Sequence, residues 1–362
     1  MNGTQKLHEL GQSIWLDQIN RELLDSGTLA RYVADYSVTG LTSNPTIFAA
    51  AIGKSEHYDA AIAALVGNGK SHEDLFFELA LEDLRRAADL FRPAHDSTRG
   101  VDGWASLEVS PLLAADTANT VAASKNLYAR AARPNLFIKI PGTPEGVPAI
   151  EEAIYSGVPI NITLLFSRKH YLAAVGAYLR GIERRIAEGL NPVVHSVASL
   201  FISRWDVAVQ LKVPEPLRNQ LGCAVAGQCY CAYRDVLASP RWQKLASAGA
   251  VPQRLLWAST GAKDPALPET YYVEALAAPD TVDTMPEKTL LAFAEHGEPG
   301  DIMRTDGGHA ETILENFRRE GIDDDALGTQ LQVEGTAAFA KSWNELMQGI
   351  AQKIEVLGVH HA

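Results

Sequence analysis

Residues 136–140 read Leu-Phe-Ile-Lys-Ile, and residues 160–166 read Ile-Asn-Ile-Thr-Leu-Leu-Phe. Both runs are short and almost continuously apolar, the pattern of strands in a parallel sheet covered by helices. Each leads into a longer stretch of helical period, and the same alternation extends outward in both directions. The short runs, in order, are Ile14–Ile19, Val38–Thr42, Trp104–Val109, Leu136–Ile140, Val158–Phe166, Val193–Phe201, Arg254–Ser259 and Thr281–Met285. Between them, Glu73–Phe91, Ala114–Ala132, Arg168–Glu188 and Arg204–Leu211 return Leu or Ala every three or four residues against Glu, Asp and Arg, as helices with one buried face do. Eight such units predict a single α/β domain over residues 1–362, a (β/α)8 (TIM) barrel with additional helices. The rival, a doubly wound open sheet, lacks its dinucleotide fingerprint here. The tail from Val333 to Val359 reads as a long helix with Phe339, Trp343, Leu346, Ile350 and Ile354 on one face, expected to pack on the barrel.

Composition narrows the function. The chain has 362 residues, 46% hydrophobic and 21% charged, which suits a folded protein with a sizeable core. Its formal charge of −12 argues against nucleic acid and against anionic membranes as partners. An anionic substrate would therefore have to be met by positive charge concentrated locally. No stretch reaches membrane-spanning length, and Lys6 and Glu9 stand where a secretory leader would need an apolar run, so a cytoplasmic protein is expected. Monomer and homodimer are both compatible with the sequence.

Three features resemble motifs without completing them. Cys223, Cys229 and Cys231 lack CxxC spacing and read as buried helix cysteines without chemistry. Gly67-Asn-Gly-Lys-Ser71 looks like the end of a P-loop, but position 64 is Ala where that loop needs Gly; it reads as a helix-ending turn with Ser71 capping the next helix. The histidines show neither HExxH nor HxH spacing, and His360-His361 reads as a solvated tail, so a metal-dependent mechanism has no support.

The informative residues are the polar ones inside the apolar runs: Asp17, Asn44, Glu108, Lys139, Asn161, Thr163 and Ser199. Burying a charge is costly unless it is paired, so this many interruptions need one explanation. In a (β/α)8 barrel they would converge at the C-terminal mouth, where strand ends meet to form an active site. Lys139 is the sharpest of them. An amine removed from water loses the hydration of its charged form, and the neutral form is the one that attacks a carbonyl. Asp17 and Glu108 would supply the proton donors and acceptors such chemistry needs, or would serve simply as ion-pair partners of the lysine. Asn161 and Thr163, two residues apart, share a face opposite Ile162 and Leu164; they suit a sugar hydroxyl and a proton-relaying water, and equally a polar pair filling the barrel.

Taken in order, Trp15-Leu-Asp17, Gly40-Leu-Thr-Ser-Asn44-Pro, Ser106-Leu-Glu108-Val, Phe137-Ile-Lys139-Ile-Pro, Pro159-Ile-Asn161-Ile-Thr163-Leu-Leu-Phe and Ser196-Val-Ala-Ser199-Leu-Phe-Ile-Ser-Arg204 resemble the motifs of the transaldolase family, in its longer bacterial form. The resemblance runs from Trp15 to the C-terminal helix. It implies a transferase of the pentose phosphate pathway that carries a dihydroxyacetone unit from a ketose phosphate, fructose 6-phosphate or sedoheptulose 7-phosphate, to glyceraldehyde 3-phosphate or erythrose 4-phosphate. It places the Schiff-base lysine on Lys139, the acid/base pair on Asp17 and Glu108, and the water-positioning threonine on Thr163. Asn44 and Asn161 match residues that hold substrate hydroxyls, and Ser199 and Arg204 match residues near the phosphate. Shorter members carry a second phosphate-binding arginine after the seventh strand; here the segment is Trp257-Ala-Ser-Thr-Gly-Ala-Lys263, and Lys263 is the expected substitute. A protonated imine is itself the electron sink, so no cofactor is implied. The related fructose 6-phosphate aldolases, which release free dihydroxyacetone, are shorter and carry glutamine where Glu108 stands and tyrosine where Phe201 stands. A non-catalytic barrel that merely binds phosphosugars is the alternative of a different class.

Overall fold

The computed structural model describes residues 1–66 and 70–358, with the backbone alone at residue 54. Eight parallel strands close in chain order: β1 (Ser13–Leu16), β2 (Val38–Leu41), β3 (Trp104–Glu108), β4 (Leu136–Pro141), β5 (Ile160–Leu165), β6 (Ser196–Phe201), β7 (Gln253–Ala258) and β8 (Val282–Met285). β8 returns to β1, with Ser13 opposite Val282. Each of the eight apolar runs thus supplies a strand, and the (β/α)8 barrel expected from them is the fold. All strand positions except Thr39 are buried, inside by the barrel and outside by helices, which is why the runs are apolar rather than alternating.

The lower barrel is filled. Trp104 and Phe137 stack with ring centroids 4.0 Å apart, and Trp15 lies 6.1 Å from Phe137. Beneath them Arg254 donates to the carbonyls of Val101, Asp280 and Thr281 and to the Ser13 hydroxyl, tying the base together.

Side-chain caps set several helix starts. Asn44 accepts from the Ile47 amide ahead of the helix Pro45–Lys54, Ser71 from Asp74 ahead of His72–Ser97, and Ser167 from His170 ahead of Arg168–Ala187. Ser71 thus caps as expected, while Gly67–Gly69 of the same motif lie outside the described residues. Asp116 moves the expected Ala114–Ala132 helix to Thr117–Ala131, and the helix after β6 is Ser203–Val209. The three cysteines share the helix Leu221–Ala238 and are free, but only Cys229 is fully buried. Cys229 and Cys231 are two apart, so they cannot share a helix face.

The C-terminal helix is longer than its apolar stripe suggests. It runs Asp324–Val356, capped by Asp323, and begins nine residues before Val333. Its first turns are largely acidic and polar, which suits a helix N-terminus, with Leu327 and Leu331 already on the buried side. Phe339, Trp343, Leu346, Ile350 and Ile354 do form its buried side, while Val359 and the two terminal histidines lie outside the described residues. Among the described residues, no helix is long and apolar enough to cross a membrane.

One strand departs from strict alternation. The β5–β6 register shifts between Ile162 and Leu165, and Leu164 sits at φ 58° in the left-handed region. This is a bulge directly after Thr163.

Candidate active site

Register brings the first three groups side by side. Glu108 on β3 is paired with Lys139 on β4, and Lys139 with Asn161 on β5, so all three point into the barrel at one level. Lys139 is 5% exposed and Glu108 4%. The lysine is thus not snorkelling to water. Its Nζ lies 3.5 Å from Glu108 Oε2 and donates to the Ser43 carbonyl at 3.2 Å. The contact with Glu108 is an ion pair rather than an aligned hydrogen bond, since neither carboxylate oxygen of Glu108 has a hydrogen-bond partner. Burial pushes the Glu108 carboxyl up to about 7, with the neighbouring Lys139 opposing. A group poised there can both give and take a proton near neutral pH.

Thr163 pairs with Pro141 one step above Asn161, on the same inward face; its buried hydroxyl also lacks a hydrogen-bond partner. Asn161 is tied on both sides: its Nδ2 donates to Ser106 Oγ at 3.2 Å, and its Oδ1 accepts from Ser199 Oγ at 2.7 Å. The two residues predicted from β5 and β6 therefore form one polar shelf.

Nearer solvent, a cavity of about 230 Å³ opens at the mouth, lined by seven of the ten expected residues: Asp17, Asn44, Lys139, Ser199, Phe201, Arg204 and Lys263. Glu108, Asn161 and Thr163 lie buried beneath it. Burial raises the Asp17 carboxyl, offset by Lys139, by the hydroxyl of Thr42 donating to its Oδ1 at 2.7 Å, and by Lys263. Arg204 sits with its guanidinium carbon 5.4 Å from the Phe201 ring centroid, a cation–π contact. It does not pair with Asp206, whose carboxylate accepts from the Leu221 and Gly222 amides and the Tyr272 hydroxyl. Arg204 and Lys263 thus offer positive charge at one rim of an acidic protein.

The cavity also takes in residues to which sequence reasoning gave no role. Thr42 and Thr284 share a 2.7 Å hydroxyl contact that extends the Asp17 network. Ser259, at φ 58°, shares a 2.9 Å contact with Ser203 beside Lys263, and Phe339 reaches in from the C-terminal helix. Thr42 and Ser259 lie within the quoted motifs, but Phe339 carried only the signal of a buried helix face. Larger hollows of about 640 and 720 Å³ lie elsewhere, one between outer helices and one at the barrel base. Neither is lined by a lysine.

A buried lysine held against a carboxylate of near-neutral pKa, at the C-terminal mouth of a (β/α)8 barrel and beneath a cationic rim, has the layout that lysine-dependent aldol chemistry on an anionic sugar requires. The family resemblance is borne out by comparison. The profile of the family described as Transaldolase/Fructose-6-phosphate aldolase matches residues 14–350, and the chain belongs to this family. It is 44% identical over 359 residues to the transaldolase of Thermobifida fusca, covering 97% of this chain and 98% of that one. It is 42% identical to the transaldolase of Saccharopolyspora erythraea, over 97% of both chains. Transaldolase 1 of Streptomyces avermitilis is also 42% identical, over 98% of this chain and 96% of its own.

Proposed function

We propose that this protein is a transaldolase, a transferase that moves a dihydroxyacetone unit between sugar phosphates through a Schiff base on Lys139. The observation that carries the reading is the ion pair of two almost fully buried groups, Lys139 and Glu108, beneath a cavity with Arg204 and Lys263 at its rim. Glu108 takes a proton from the Lys139 ammonium, and the neutral amine attacks the C2 carbonyl of a ketose phosphate. Glu108, through a water held by Thr163, gives the proton that lets the carbinolamine lose water. Asp17 takes the proton of the C4 hydroxyl, the C3–C4 bond breaks, and its electron pair flows into the protonated imine. An aldose phosphate leaves, and the enamine left on Lys139 attacks the aldehyde of an acceptor aldose phosphate by the reverse steps. Asn44 and Asn161 hold hydroxyls, and Arg204, Ser199 and Lys263 hold the phosphate. These substrates place the reaction in the pentose phosphate pathway, and three free thiols suit a reducing compartment such as the cytoplasm.

Glu108 and Phe201 stand where the dihydroxyacetone-releasing aldolases differ, which favours transfer over simple cleavage. The test is borohydride reduction in the presence of fructose 6-phosphate, followed by peptide mapping, with a coupled assay that adds erythrose 4-phosphate. A stable adduct on Lys139, and transfer without free dihydroxyacetone, is the expected result. An adduct on another lysine, or none, removes the mechanism and leaves a phosphosugar-binding barrel; release of dihydroxyacetone identifies an aldolase.

A further inference from the structure

Thr163 faces an unusual structural problem. Its buried hydroxyl has no hydrogen bond of its own to fix its aim, and the residue after it, Leu164, occupies a left-handed conformation that disfavours a side chain bearing Cβ. Strain of this kind persists only where surrounding contacts over-determine it.

The restraint comes from the C-terminal helix. Gln332, 6% exposed, donates through one Nε2 group to two carbonyls at 2.9 Å each, those of Gly142 and Leu164. Gly142 in turn donates its amide to the Thr163 carbonyl at 2.8 Å. One side-chain amide therefore fastens the end of the lysine strand to the bulge of the threonine strand. One turn further along the helix, Gly335 admits the Leu164 side chain: a Cβ there would come within 3.0 Å of Leu164 Cδ2. The bulge is thus gripped by its carbonyl and accommodated at its side chain by a single helix face, which continues to Phe339 in the cavity wall.

We infer that Gln332 is a positioning residue for the transfer reaction: by clamping the carbonyls of Gly142 and Leu164 it holds the bulge that aims the Thr163 hydroxyl at the Lys139–Glu108 pair. The inference rests on the role proposed above for Thr163. It assigns catalytic work to the C-terminal helix at a residue remote in sequence from every strand motif.

The test is a double-mutant cycle on transfer kinetics. Gln332→Met keeps the length of the side chain and removes its donors. A small misplacement of a reacting group can cost on the order of 100-fold, so kcat should fall by roughly 10- to 100-fold. KM for fructose 6-phosphate should stay near the wild-type value, because Arg204 and Lys263 are untouched. In a Thr163→Ala background the same substitution should cost little more. Gln332→Glu, which sets an acceptor against two carbonyls, repeats the test should the methionine variant fold poorly. Unchanged kcat in both Gln332 variants, or a loss that is fully retained in the Thr163→Ala background, overturns the inference while leaving the Thr163 role intact. Full activity in Thr163→Ala alone overturns that role and the inference with it.

Discussion

Arg204 illustrates how a single residue's partners decide its task. Its neighbour Asp206 is the obvious ion-pair candidate, but residues two apart on a helix lie on opposite sides, and Asp206 spends its oxygens on the Leu221 and Gly222 amides and on Tyr272. Among the described residues Arg204 makes no salt bridge, and its guanidinium rests on Phe201 at the cavity rim. A planar donor in that position can grip phosphate in a bidentate fashion. Arg204→Ala should therefore raise KM for fructose 6-phosphate by the equivalent of about 1.5–3 kcal/mol, the range for hydrogen bonds to a charged group. The effect on unphosphorylated fructose should be far smaller. Parallel losses on both sugars would show that the residue supports the fold instead.

At the scale of an element, Asn44 serves two structures at once. Its Oδ1 caps the helix Pro45–Lys54 through the Ile47 amide at 3.0 Å, and the residue lines the cavity at the end of β2. Removing a cap of this type costs about 1 kcal/mol. Asn44→Ala should thus lose both stability, read as a lower urea midpoint, and transfer activity. Asn44→Asp keeps an acceptor for the helix terminus and adds a favourable charge there, so stability should return. Activity should not, because the amide donor is gone and a second carboxylate joins Asp17. Recovery of activity in Asn44→Asp would reduce the residue to a cap.

Across the whole molecule, buried carboxylates tie stability to pH. Burial raises Asp83 and Asp206 to about 6 and Glu108 and Asp283 to about 7. Between the ordinary carboxylate range and these values the folded chain keeps protons that the unfolded chain has released. The contribution of these groups to stability therefore falls as pH rises through roughly 4 to 7 and levels off above it. Asp283 is a clean probe: it is fully buried, Thr260 Oγ1 donates to one oxygen at 2.9 Å, and the other oxygen has no partner. Asp283→Asn should be more favourable relative to wild type at pH 7.5 than at pH 5, by roughly 2 kcal/mol. Urea unfolding at the two pH values measures it, and an equal difference at both would mean that the carboxyl titrates normally.

The amino-acid order by itself determined the strands, the alternating units that predict a barrel, and the inward polar residues, because each shows as a short apolar run, or an interruption of one, between stretches of helical period. Lys139, Glu108 and Asn161 were legible for the same reason: a polar group in an apolar strand stands out against its neighbours. The start of the C-terminal helix was not, since Leu327 and Leu331 are a sparse signal among acidic and polar neighbours. What only the tertiary structure decided lies between residues far apart in the chain. Gln332 meets Gly142 and Leu164 across 190 and 168 positions, and a single glutamine between Leu331 and Val333 gives no local sign of that contact. The left-handed turn at Leu164 is equally silent, because leucine does not favour it and no local pattern of side chains marks it. Periodicity tells each segment which side to bury; barrel closure and the docking of the last helix decide which distant atoms that side meets.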